Sequence, residues 1–180
     1  MGASDLNTDP RQSALLPAAA ELQRAALAAV DPAAAIRRHV RREGDVLVVA
    51  DRRYDLCEYE RVLVVGGGKA AVPMAAAVSD VLGDRLTAGV VVTKYGHTGG
   101  WSAARVRVIE AGHPVPDENS VRGARAVADL TDGATESDLV ICLISGGGSA
   151  LLTLPAAGLT LSDFQRLTDR SCAAARRSTR

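Results

Sequence analysis

RVLVVGGGKAAVPMAAAVSDVL, residues 61–82, changes character in its middle. Val62 to Val65 form an unbroken apolar run, the pattern of a strand buried on both faces. Three glycines, Gly66, Gly67 and Gly68, and a lysine, Lys69, interrupt it. KAAVPMAAAVSDVL (69–82) then reads as a helix. A buried strand that turns through glycines into a helix is the opening unit of a parallel α/β sheet.

The same pattern extends outward. VLVVA (46–50), AGVVVT (88–93) and VRVIEA (106–111) read as strands, and residues 117–131 as a helix opened by an aspartate. DLVICLIS (138–145) is a long apolar strand, again followed by glycines. The predicted fold is α/β, a Rossmann-like, mainly parallel sheet with flanking helices. Upstream, residues 1–10 read as a disordered lead-in. Residues 11–30 read as an alanine-rich helix interrupted near Pro17. A second short helix starts at Asp31-Pro32 and carries a solvated basic face of Arg37, Arg38, Arg41 and Arg42.

Composition narrows the function. The chain has 180 residues, 47% hydrophobic and only 3% aromatic, so Ala, Val and Leu must fill the core. Twenty-one basic residues balance 21 acidic ones, which argues against a nucleic-acid or membrane surface. Cys57, Cys142 and Cys172 fit neither a zinc site nor a disulfide framework. Cys142, within an apolar run, is expected to be buried. The first ten residues lack the pattern of a signal peptide, and no apolar run approaches the length that spans a bilayer. A cytoplasmic location is the expectation.

Both glycine triplets fall at the carboxyl ends of predicted strands, where open α/β sheets bind ligands. Glycines let backbone N–H groups approach a ligand closely, and a lysine adds full charge. Gly66–Lys69 therefore suits a phosphate or carboxylate. It is not a Walker A loop, because Ala70 follows Lys69. Gly66, Gly68 and Ala71 match a relaxed dinucleotide-binding pattern, but the next strand ends Val92-Thr93-Lys94, without an acid for a ribose. Ser145-Gly146-Gly147-Gly148-Ser149 is the stronger signal, an N–H nest flanked by two hydroxyls. In His113-Pro114-Val115-Pro116-Asp117, the prolines stiffen a strand end. His113 is either an anion contact or a structural histidine, and Asp117 either a site residue or a helix cap. The loop Thr93–His97 adds further polar groups.

GGGKAA (66–71), AGHPVPDENS (111–120) and LISGGGSALLTLPAAGLTL (143–161) together resemble the glycerate 2-kinase family, some of whose members carry the label hydroxypyruvate reductase. The resemblance runs from about Gln12 to Asp169. It implies transfer of the γ-phosphoryl group of ATP to D-glycerate, giving 2-phosphoglycerate, with Mg²⁺ or another divalent cation whose ligands here are unknown. Lys69 would act at the phosphates. Ser145 to Ser149 would hold phosphate or the glycerate carboxylate. Two other readings stand beside it: an NAD(P)-dependent hydroxypyruvate reductase and a non-catalytic anion-binding α/β module.

The resemblance also implies a longer protein, with a second α/β domain across a cleft. Residues 11–169 would be a partial N-terminal domain, its sheet incomplete at the C-terminus and inactive alone. After LSDFQRLTD (161–169) the family continues along the lines of ALLRSGATINEVN. Loss of one G from a GC-rich coding sequence for that segment yields RSCAAARRSTR (170–180) and then a stop codon. Residues 170–180 are therefore expected to be an out-of-frame tail, although Ala and Arg can still form a helix. Exposed apolar faces or an open sheet edge, and poor solubility, are expected to follow. The coding DNA beyond residue 169 tests this directly.

Overall fold

A computed structural model describes residues 10–177. The expected lead-in lies outside the described residues, apart from Pro10. Helix α1 (Pro10–Ala29) is continuous through Pro17 rather than interrupted there. It is exposed along its length from Leu15 onward. Helix α2 (Pro32–His39) starts as the sequence suggests, with the Asp31 side chain accepting from Ala34 N–H and proline in the first turn. It ends before Arg41 and Arg42, which the sequence reading placed on it.

Those arginines lie instead in β1 (Val40–Glu43), the first strand of an antiparallel meander with β2 (Val46–Val49) and β3 (Arg52–Asp55). Only β2 was legible in the sequence. The flanking strands are arginine-rich and cover little apolar surface, so they carry no hydrophobic signal. The meander packs through β1 on α3, and Leu47 of β2 joins the main core.

The main sheet holds β4 (Arg61–Gly67), β5 (Ala88–Lys94), β6 (Val106–Ala111) and β7 (Asp138–Ile144), all parallel, in the order β6-β5-β4-β7. Helix α3 (Ala71–Leu82) joins β4 to β5, and α4 (Glu118–Thr131) joins β6 to β7. The first crossover steps one way along the sheet and the second steps back. Right-handed crossovers in opposite directions must lie on opposite faces. One core therefore joins Val62, Val64, Val91 and Leu143 to α3. The other joins Val90, Val92, Ile109 and Ala111 to Ala126 of α4 and Leu151 of the short helix α5 (Gly148–Leu151). Each fully buried valine or leucine contributes roughly 1.5–3 kcal/mol relative to exposure. Residues 95–105, between β5 and β6, form no helix, so the alternation of strand and helix breaks once.

One expectation fails at β7, that of a buried Cys142. It is an edge strand, and Val140, Cys142 and Ile144 point to a face that α4 does not reach, so they are exposed. Cys142 is not buried, because its strand is covered on one face only. The chain ends in α6 (Leu161–Arg177), a helix that runs on into the segment read as an out-of-frame tail.

Candidate functional site

In the order β6-β5-β4-β7 the chain reverses direction at the border of β4 and β7. Beyond the carboxyl ends of two strands at such a reversal lies the crevice where open α/β sheets bind ligands. The loop after β4 is Gly66–Lys69 and the loop after β7 is Ser145–Ser149, so the topology brings the two glycine loops together.

They interlock. Ser145 N–H donates to Gly67 C=O at 3.1 Å, and Lys69 N–H to Gly146 C=O at 2.9 Å. Ala70 N–H donates to Ser145 Oγ at 3.0 Å. Ala70 opens α3 with no side-chain cap of its own, so the serine of one loop serves the helix of the other. Gly68 N–H donates to Val92 C=O at 3.0 Å. Gly68 has a φ of 138°, and a Cβ there would run into the Ser145 side chain. The first loop is thus a structural partner for the second, its N–H groups largely engaged. Gly146 and Gly147 N–H have no protein acceptor among the described residues.

A lysine and a histidine lie beside those two N–H groups. The Lys69 side chain lies along Gly146, its Cε 4.0 Å from where a Cβ would stand. The His113 ring packs on Gly147: a Cβ there would lie 2.7 Å from His113 Cδ2. His113 sits just beyond β6, and its bond to Pro114 is cis. Lys94 ends β5 on the same face as Val90 and Val92, the face that carries α5. Burial, then the charges of Lys69 and Lys94, hold the His113 imidazole below its ordinary pKa, with His97 adding to the effect. Neither lysine has a salt-bridge partner among the described residues. A lysine without an ion-pair partner beside open N–H groups is chemistry suited to an anion.

Residues 18–175 match a family model described as a domain of unknown function, DUF4147. The chain belongs to that family. It is 42% identical over 144 residues to a glycerate 2-kinase of Pyrococcus horikoshii, covering 80% of this chain and 31% of that protein. It is 50% identical over 109 residues to a D-glycerate 2-kinase of Thermotoga maritima, covering 61% of this chain and 26% of that protein. A solved glycerate kinase structure from Thermotoga maritima superposes with a TM-score of 0.69 at 38% identity, covering 87% of this chain and 34% of that one. The chain spans between a quarter and a third of the length of these curated relatives.

Within this DUF4147 domain, the structure gathers Lys69, Gly146, Gly147 and His113 around one crevice. Gly66, Gly67 and Gly68 form its floor: a Cβ on Gly66 would meet Leu143, and one on Gly67 would meet Leu152 at 2.5 Å. Gly148 N–H turns back to Ser145 C=O, and Ser149 is exposed, on the outer side of α5. Asp117 is engaged elsewhere. Its carboxylate accepts from Ser120 N–H at 2.9 Å in a capping box that opens α4. It also accepts from Tyr95 O–H at 2.7 Å, and Asn119 donates to that same hydroxyl. Burial works against its charge, but donation from Tyr95, Gly112 N–H and Ser120 outweighs that and lowers its pKa. Lys94, in the sequence only one polar group of the loop Thr93–His97, lies close enough to His113 to act on its charge. A lysine ending a buried strand beside a glycine loop was the available signal.

Proposed function

We propose that the crevice binds the phosphates of ATP, and that the chain supplies the phosphate-holding half of a site that phosphorylates D-glycerate to 2-phosphoglycerate. This rests on the meeting of two glycine loops at the sheet's reversal point, with Lys69 and the His113 ring beside two open N–H groups, Lys94 close to His113, and neither lysine paired in a salt bridge among the described residues. Phosphoryl transfer rests chiefly on positioning and on neutralising charge over the phosphate oxygens. Lys69 and Lys94 neutralise; the Gly146 and Gly147 N–H groups orient. The relatives' names, glycerate 2-kinase and D-glycerate 2-kinase, support the substrate.

The metal is a separate matter. No three His, Cys, Asp or Glu side chains are grouped to hold an ion among the described residues. Mg²⁺ in such reactions commonly rides on phosphate oxygens with one or two carboxylates.

A dinucleotide-dependent reductase fits less well. β5 ends in Thr93-Lys94 where a ribose-binding acid would stand. Calorimetry of the purified chain with ATP, NADH and D-glycerate, beside a coupled kinase assay, separates the readings. ATP binding that weakens by about tenfold or more in Lys69→Met is expected, without turnover by this chain alone. NADH binding with no ATP binding overturns the kinase reading.

A further inference from the structure

Next to the glycine loops lies a cavity of about 390 Å³ that the phosphate reading leaves unused. Small-molecule pockets start at roughly 300 Å³ and are mostly apolar with a few placed polar groups. This one is lined by Lys69, Val72, Pro73 and Ala76 on one side and by His97 and Trp101 on the other. Positions 72, 73 and 76 share one face of the start of α3, and Lys69, two residues before the helix, extends that wall toward the glycine loop. The opposite wall belongs to the helix-free connection between β5 and β6. His97 N–H donates to Lys94 C=O and Trp101 N–H to Thr98 C=O, both at 3.0 Å. These bonds fold the connection back so that Trp101 packs, half-buried, against the core beside α3.

Trp101 is the one tryptophan in a chain with 3% aromatic residues. A flat indole facing a proline, a valine and an alanine suits a flat heteroaromatic ring, which stacks on aromatic faces whatever its substituents. Lys69 lines this cavity and also lies along Gly146. One side chain therefore joins an apolar slot to an anion loop. The matching ligand carries a flat ring at one end and several negative charges at the other.

We propose that the cavity is the nucleobase subsite for the phosphate donor: the base lies between Trp101 and the α3 wall, and the phosphates pass Lys69 toward the Gly146 and Gly147 N–H groups. This rests on the reading of those loops as a phosphate site, and the experiment separates the two. Binding of ATP and of inorganic tripolyphosphate to the full chain is measured by calorimetry, and Trp101 emission is followed in parallel. ATP is expected to quench or shift Trp101 emission and to bind at least tenfold more tightly than tripolyphosphate, which lacks a base. Ala76→Phe, which fills the slot from a half-exposed position, is expected to abolish the advantage of ATP while leaving tripolyphosphate affinity unchanged. Trp101→Leu should reduce ATP affinity in the same selective way, and circular dichroism checks that both variants fold. If ATP binds with unaltered Trp101 emission and equally well to Ala76→Phe, the subsite assignment fails while the phosphate site stands. If neither ATP nor tripolyphosphate binds, the phosphate reading fails and the subsite with it.

Discussion

Gly147 and His113 define the site at the finest scale. Gly147 has a φ of 92°, a region that favours glycine, and the His113 ring occupies the space a side chain would need. Gly147→Ala should therefore displace the ring and cost about 1–3 kcal/mol through backbone strain, read as a lowered denaturation midpoint. His113 carries a pH signature. Its folded-state pKa lies below the ordinary value of about 6.5. Where the unfolded chain binds more protons than the folded one, stability falls as pH falls. The loss should begin below about pH 6.5 and be absent in alkaline solution. His113→Asn should remove this component of the loss. A bound polyanion offsets the Lys69 and Lys94 charges and lifts the His113 pKa, so binding should take up protons near neutral pH. Calorimetry in two buffers of different ionisation enthalpy checks this.

At the scale of elements, the start of α4 separates two uses of Asp117. The sequence allowed either a site residue or a cap, because an aspartate before a helix is common to both. The structure shows the cap, with Tyr95 tying the connection after β5 to the same carboxylate. Asp117→Ala should cost about 1–2 kcal/mol in urea unfolding. Asp117→Asn keeps a capping oxygen and should cost less. Anion affinity should be unchanged in Asp117→Asn; a large loss would show that the carboxylate serves the ligand after all. The strands β4 to β7 and their helices were legible because continuous valine runs and glycine stops are strong local signals. β1 and β3 were not, because Val40-Arg41-Arg42-Glu43 and Arg52-Arg53-Tyr54-Asp55 hold their places through pairing with β2. The site was half legible. Glycine loops can be read locally, but their interlocking depends on strand order, and so does the approach of His113 to Gly147 and of Lys94 to His113.

Across the whole molecule, the main sheet ends in two edge strands, β6 on one side and β7 on the other, and β7 is the one whose exposed face is apolar. The outer edge of β7 presents backbone donors and acceptors without partners among the described residues, over seven residues that contain no lysine and no proline. Such edges recruit other strands unless charge, proline or a bulge blunts them. Asp138, the one charge on the strand, is already held by Arg61 through bonds of 2.7 and 2.6 Å, which leave its carboxyl well below the ordinary pKa. Val140 and Ile144, 38% and 58% exposed, add an apolar row beside the edge, and Leu16 and Leu22 of α1 are 72% exposed. Electrostatic repulsion offers little protection, since the formal net charge is zero at pH 7. The chain should therefore self-associate with rising concentration near neutral pH, and sedimentation velocity should show the mean mass increasing. Val140→Lys places a charge on the exposed face at the middle of the edge, where its side chain meets no core residue of α4. It should shift the distribution toward monomer while leaving the β4–β7 loops, and hence anion affinity, intact. A monomer at every concentration would show that the β7 edge is protected by something other than charge.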